Sequence, residues 1–288
     1  IPAQITAYPY IPDPNWKPEK LGFNVGMDTA AGSMPADAAI RAEAKKATKG
    51  ALIAWDPVAQ KERWQVALGG PWNGGVLATA GGLVFQGNAA GSFVAYGADK
   101  GHQLWSFPAQ TGVVAAPITY SVNGEQYVAV LAGWGGAWAL TAGVLSDMSG
   151  PVRNISRLLV FKLGGKAALP EMTESAGNLP LDPPALTASA DVVAEGKALF
   201  GRYCLVCHGD AGAMASGRGG ILPDLRYSGT LAAPDNWQMI VHDGALKANG
   251  MVSFSPVMNA AQIDSIRHFV IARAHEDKAI EARGMARR

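Results

Sequence analysis

Cys204-Leu205-Val206-Cys207-His208 is a Cys-x-x-Cys-His run, the attachment signature of a c-type haem. Two thiols about one helical turn apart can meet the two haem vinyl groups, and the adjacent imidazole then reaches the iron from the proximal side. The other axial ligand is expected downstream. Lys247-Ala248-Asn249-Gly250-Met251-Val252-Ser253-Phe254 carries a methionine in a Gly-Met turn, 43 residues after His208. Met251 is therefore the expected ligand; Met214, Met239 and Met258 are rivals that ordinary core or loop packing would also explain. A Cys-x-x-Cys can instead be a redox pair or half of a zinc site, but the first wants a βαβ setting and the second more ligands. The chain has only these two cysteines.

The flanks favour a small helical unit. From Asp191 to Tyr203, Val192, Val193, Leu199 and Phe200 recur at helical spacing, with Asp191 placed to cap the first turn. A partner helix is expected from Ala261 to about Ala274, where Ile263, Ile266, Phe269 and Val270 share a face. Gly196 stands where two such helices could cross closely. This arrangement resembles the class I cytochromes c. Ile221-Leu222-Pro223-Asp224-Leu225 resembles the segment of that family whose proline carbonyl accepts a hydrogen bond from the haem-ligating imidazole. Arg218 and Arg226 are candidate partners for haem propionates, or simply solvated arginines. His242, His268 and His275 read as surface residues, and His102 as part of a turn.

At 288 residues with 49 % apolar content, the chain has material for about two domains. Lys and Arg number 24 and Asp and Glu 23, a net charge of +1 that provides no field for binding nucleic acid. The apolar run Tyr127-Val128-Ala129-Val130-Leu131-Ala132-Gly133-Trp134 is too short to cross a bilayer and reads as a buried strand, so no transmembrane segment is expected. The chain begins at isoleucine, which is not expected to be a native translation start, and no signal peptide opens it. Haem attachment to Cys-x-x-Cys-His normally takes place outside the bacterial inner membrane, which makes the periplasm the expected compartment.

The first part of the chain repeats itself. Gly50-Ala51-Leu52-Ile53-Ala54-Trp55-Asp56 leads to Trp64, and Gly91-Ser92-Phe93-Val94-Ala95-Tyr96-Gly97 leads to Trp105, each feature recurring after 41 residues. A period near forty with short β runs, Gly-rich turns and a fixed tryptophan is the signature of propeller blades, each a four-stranded antiparallel sheet. Further strands are expected at Gly82-Leu83-Val84-Phe85-Gln86-Gly87, on both sides of the Val122-Asn123-Gly124 turn, and at Arg157-Leu158-Leu159-Val160-Phe161-Lys162-Leu163. Trp55, Trp64, Trp105, Trp138 and Tyr120 are expected to pack between blades, and Asp56 and Asp99 to serve turns.

Pro71-Trp72-Asn73-Gly74-Gly75-Val76-Leu77-Ala78-Thr79-Ala80-Gly81-Gly82-Leu83-Val84-Phe85-Gln86-Gly87, with Ala116-Pro117-Ile118-Thr119-Tyr120 and Gly133-Trp134-Gly135-Gly136, resembles the last blades of pyrroloquinoline quinone (PQQ) dehydrogenases. With the haem motif, the whole chain resembles the C-terminal part of a type II quinohaemoprotein alcohol dehydrogenase. Even Ile1-Pro2-Ala3-Gln4 resembles the end of a propeller strand in that family. The resemblance implies an all-β portion formed by the last blades of an eight-bladed propeller, followed by an all-α class I cytochrome c domain. It implies haem c on Cys204 and Cys207, with His208 and Met251 on the iron, and PQQ shared with an N-terminal propeller portion. That portion would also hold the Ca2+ ligands and the catalytic aspartate, so no catalytic base is expected in this chain. Trp72, Asn73, Gly136 and Ala137 are the implied PQQ-wall positions, Ala137 standing where methanol-oxidising relatives have tryptophan. The implied activity is oxidation of an alcohol, with electrons passing singly from PQQ to haem c and then to a small copper protein or a soluble cytochrome c. The alternative left open is an electron-transfer subunit in which a cytochrome c rides on a non-catalytic β-scaffold.

The expected partition is 1–163 for the blades, 164–190 for a linker, 191–275 for the cytochrome domain and 276–288 for a charged tail. Pro170, Pro180, Pro183 and Pro184 interrupt regular structure in the linker. Its Leu163, Leu169, Met172, Leu179, Leu181 and Leu186 suggest a segment that lies against the propeller and holds the haem domain over the PQQ entrance.

Overall fold

A computed structural model describes residues 1–6, 10–18, 21, 24–28, 38–134, 155–172, 180–208 and 223–285. Three antiparallel sheets come first and helices follow. The first sheet is β1 (Pro2–Ile5), β2 (Lys49–Asp56) and β3 (Lys61–Leu68), in that order. A helix, α1 (Ala38–Ala47), lies in the long insertion between β1 and β2. The middle sheet is a four-stranded meander of β4 (Asn73–Ala78), β5 (Leu83–Asn88), β6 (Ser92–Gly97) and β7 (Gln103–Pro108). In the third sheet β9 (Glu125–Ala132) lies between β8 (Ile118–Val122) and β10 (Arg157–Lys162).

The sequence repeat survives as repeated register. Ala54 pairs with Trp64 and Ala95 with Trp105, and each ladder slips by a bulge immediately after that alanine. Strand β6 is buried on both sides because neighbouring sheets stack on its two faces. Val94 and Tyr96 meet Leu52, Trp64, Val66 and Leu68 of the first sheet. Phe93, on the other face, meets Val130, Leu159 and Phe161 of the third. Face-to-face stacking of short sheets is the blade arrangement the period implied. Trp64 ties blade to blade, its Nε1 donating to the Ala98 carbonyl at 2.9 Å while its ring lies against Gly101. Trp105 sits edge-on to Phe93 and Phe161 and stacks on Phe107. Trp55 departs from expectation: 49 % exposed, it stands at the β2 bulge, where the slipped register turns it outward.

The outer face of the third sheet is bare. Ile118, Leu131, Leu158 and Val160 are all exposed on it, and they share one side by register. The β8–β9 connection is the expected two-residue turn, with Asn123 and Gly124 both at positive φ.

The helical unit begins with α2 (Ala190–Tyr203) and a short α3 (Leu205–His208), and continues through α4 (Pro234–Val241) to the long α5 (Ala260–Met285). Ser189, rather than Asp191, caps α2: the helix starts one residue earlier than expected, and the Ser189 hydroxyl accepts from the Val192 amide. Helices α2 and α5 cross at Gly196, where any Cβ would run into the Ser265 carbonyl of α5. Phe200 and Phe269 flank the crossing with ring centroids 5.4 Å apart. Around them Leu231, Trp237, Val241, Phe254, Met258, Ile263, Ile266, Val270 and Ile271 form one core, pinned by a Trp237 Nε1 hydrogen bond to the Ile263 carbonyl at 3.0 Å. Helix α5 runs well past Ala274, to Met285, and so takes in residues 276–285 of the stretch expected as a charged tail. There Lys278 and His275 bond the linker at Asp182 and the Pro184 carbonyl. No helix among the described residues is long and apolar enough to cross a membrane.

Candidate haem site and inner blade positions

The end of α2 folds directly into the haem motif. Cys204 closes α2 by donating its amide to the Phe200 carbonyl, and the amides of Cys207 and His208 both donate to the Cys204 carbonyl, at 3.1 and 2.8 Å. This turn gathers the three functional residues at one end of the core. Both cysteines are free, Cys204 buried and Cys207 half-buried. Burial, with the neighbouring Cys207 thiol adding to it, pushes the Cys204 thiol up to about 12; burial raises Cys207 as well.

His208 is buried, and loss of solvation lowers its pKa, opposed by the nearby Pro223 carbonyl. Its Nδ1 nonetheless makes no hydrogen bond of ordinary geometry. The carbonyl therefore acts on the ring through its dipole, close to the bond that the class I cytochromes would complete. A buried imidazole with an unused nitrogen, beside two unpaired thiols, is what a thioether-bound haem requires: the residues fit that group.

At the edge of the same core, Gly250 adopts φ 96°, a left-handed turn that suits glycine and precedes Met251. Met251 is half-buried and packs against the core, whereas Met258 is 3 % exposed within it and Met239 is 47 % exposed. Tyr203 and Phe254 meet edge-on at 6.1 Å beside them. Met214 and Arg218 lie outside the described residues. Arg226 is engaged by carboxylates: Nη2 and Nε bond Asp224 at 2.7 and 3.1 Å, and Nη1 bonds Asp277 of α5 at 3.1 Å. Sequence reasoning missed this network, although the Asp224-x-Arg226 spacing is the signal that could have revealed it. It also read His268 as surface. The structure buries it, 7 % exposed, because Arg267 turns inward to the Leu231 carbonyl and bonds His268 Nε2 on the way.

In the sheets, the three layers converge at the start of β4. A side chain at Gly50 would strike Gly70 and Asn73, and side chains at Gly74 or Gly75 would strike residues 113–116. Asn73 donates Nδ2 to the Gly70 carbonyl at 2.8 Å, and Trp72 packs with Ala89, Val114 and Trp134. Gly136 and Ala137 lie outside the described residues, as does Trp138.

Comparison with known proteins agrees with both halves of this picture. Residues 36–128 match the family described as glucose/ethanol/alcohol dehydrogenase, beta-propeller domain, and residues 191–270 match cytochrome C oxidase, cbb3-type, subunit III. The quinohemoprotein alcohol dehydrogenase ADH IIB of Pseudomonas putida is 48 % identical over 79 % of this chain, a stretch that is 32 % of that protein. Over most of its length the chain is similar to quinohaemoprotein alcohol dehydrogenases. The dehydrogenase subunit of the alcohol dehydrogenase (quinone) of Acetobacter aceti is 42 % identical over 93 % of this chain and 36 % of its own length. The solved structure of the quinohemoprotein alcohol dehydrogenase ADHIIG of Pseudomonas putida superposes with a TM-score of 0.76 at 40 % identity, covering 96 % of this chain and 39 % of that one. The chain thus spans about a third of the length of these relatives. Its sheets are propeller blades and its helical unit is a cytochrome c domain, the two parts it shares with those relatives.

Proposed function

We propose that this chain is the C-terminal, electron-exporting portion of a periplasmic quinohaemoprotein alcohol dehydrogenase. The observation that carries the reading is the joining, in one chain, of stacked blades to a turn that brings Cys204, Cys207 and His208 together. When bound, PQQ supplies a hydride acceptor for the alcohol and haem c a one-electron relay to a copper protein or soluble cytochrome. Cys204 and Cys207 would hold the haem, His208 and Met251 would bind its iron, and the Pro223 carbonyl would help to orient the imidazole. The core formed by Phe254, Leu231 and Met258 would keep water from the iron and help to set its potential.

Trp72 and Asn73, at the convergence of the sheets, would line the PQQ wall together with Gly136 and Ala137. Arg218 remains a candidate for a haem propionate. Arg226 would serve it only by loosening its bonds to Asp224 and Asp277. The Ca2+ ligands and the base that takes the alcohol proton would lie in the N-terminal propeller portion. The exposed apolar face of Ile118, Leu131, Leu158 and Val160 supports such a neighbour, since a bare patch of this kind is ordinarily covered. The partition into blades (1–163), linker (164–190) and haem domain (191–275) is part of this proposal. Residues 276–285 then extend the haem domain's last helix.

The test is a His208→Ala variant of the complete enzyme loaded with PQQ. Alcohol should still reduce PQQ in a single turnover while steady-state reduction of a protein acceptor collapses. Unimpaired steady-state turnover would mean that electrons bypass the haem.

A further inference from the structure

The haem unit is tied to the sheets at two places far apart in sequence. One is the linker. Leu169 packs into the cluster between the middle and third sheets, and Gln110 Nε2 donates to the Pro170 carbonyl at 3.0 Å. Leu181 is buried, and Asp182 and Pro184 bond α5. The other place is the insertion between β1 and β2. Its described residues fold back on themselves: Pro12 bridges Met27, the Asp28 amide donates to the Ile11 carbonyl at 2.9 Å, and the Tyr10 hydroxyl donates to the Val25 carbonyl at 3.1 Å. Between these arms Leu21 leaves the loop and packs against the core of the haem unit, the cluster that also carries Met251 and Phe254. The sequence motifs did not single out this leucine.

We infer that the described part of this insertion, residues 10–18, 21 and 24–28, is a docking latch for the haem unit, with Leu21 as its contact residue. A single tether fixes distance but leaves rotation free. A second contact remote from the first removes that freedom, so the latch sets the orientation of the haem relative to the blades. Leu21 is a positioning residue: it touches the haem unit's apolar core and acts through it. The consequence for electron transfer rests on the function proposed above, whereas the docking itself does not.

The test uses the complete, haem-loaded enzyme with Leu21→Asp, and Leu21→Met as the conservative control. Hydrogen exchange should rise at least about fivefold, the equivalent of about 1 kcal/mol, in these latch residues and in the haem-unit backbone facing them. The haem spectrum and midpoint potential should be unchanged. Alcohol-driven reduction of the haem in stopped flow should slow by a similar factor, and Leu21→Met should restore both readouts. If Leu21→Asp fails to fold, Leu21→Ala is measured in the same way. Unchanged exchange, or an unchanged haem reduction rate at altered exchange, overturns the latch as a positioning device. If alcohol fails to reduce the haem in the unmodified enzyme, the proposed function falls, and exchange alone still decides whether Leu21 docks the haem unit.

Discussion

Replacing Gly196 by alanine tests the architecture of the haem unit most directly. The new Cβ would fall on the Ser265 carbonyl and within 3.0 Å of the Ile266 amide nitrogen, both backbone atoms of α5. A side chain could rotate away, but a helix backbone yields only by shifting the crossing, which places the overpacking cost near the upper end of the usual range, about 3 kcal/mol. Alanine returns about 1 kcal/mol through its better helix propensity. The net loss is about 2 kcal/mol, and a domain of this size loses about 4–8 °C of Tm per kcal/mol, so the haem unit should melt about 8–16 °C lower. Calorimetry on the haem-loaded protein, with haem absorbance followed in parallel, would resolve this transition from that of the sheets, which should not move. A haem-unit shift smaller than about 2 °C would refute the close crossing.

Three further outcomes are expected. Without haem, the half-buried Cys207 should be alkylated well before the buried Cys204. Because the folded chain holds the Cys204 proton more tightly than the unfolded one, the haem-free protein should lose stability as pH rises from the ordinary thiol value of 9.0 towards about 12; labelling order by peptide mass and melting against pH would check both. Met251→Ala should abolish the far-red sulfur-to-iron band of the oxidised haem while Met258→Leu keeps it, and the reverse pattern would reassign the ligand. Trp64→Phe should cost the sheets about 1 kcal/mol through the lost hydrogen bond to Ala98, read as a lower melting point for the β portion only.

Local chemistry made much of this structure legible in the sequence. The 41-residue repeat foretold repeated strands; the matching Ala54–Trp64 and Ala95–Trp105 pairs were not read from it, although a repeated side-chain pattern favours a repeated register. Cys-x-x-Cys-His was readable because attachment chemistry fixes its spacing, and Gly196 because helices approach closely only where a side chain is missing. What escaped depends on contacts distant in sequence. Arg226 could be taken for an anion-binding residue until Asp277 arrived from α5, and His268 read as surface until Arg267 folded over it towards Leu231. Leu21 carries no periodicity, so nothing in its neighbourhood announced a partner in the haem unit.

The unequal connections between strands also set an order of events in time. In the middle sheet the strands are joined by the short turns Thr79–Gly82, Ala89–Gly91 and Ala98–His102, whereas β2 must find β1 across the insertion from Thr6 to Thr48, and β10 must find β9 across residues 133–156. Closing a long loop costs chain entropy before any contact rewards it. The meander from β4 to β7 is therefore expected to act as the nucleus, with both faces of β6 serving as templates on which the flanking sheets condense. In pulsed hydrogen exchange the amides of Phe93 to Tyr96 should gain protection first and those of β1 and β10 last, so the strand that ends most deeply enclosed is also the earliest to form.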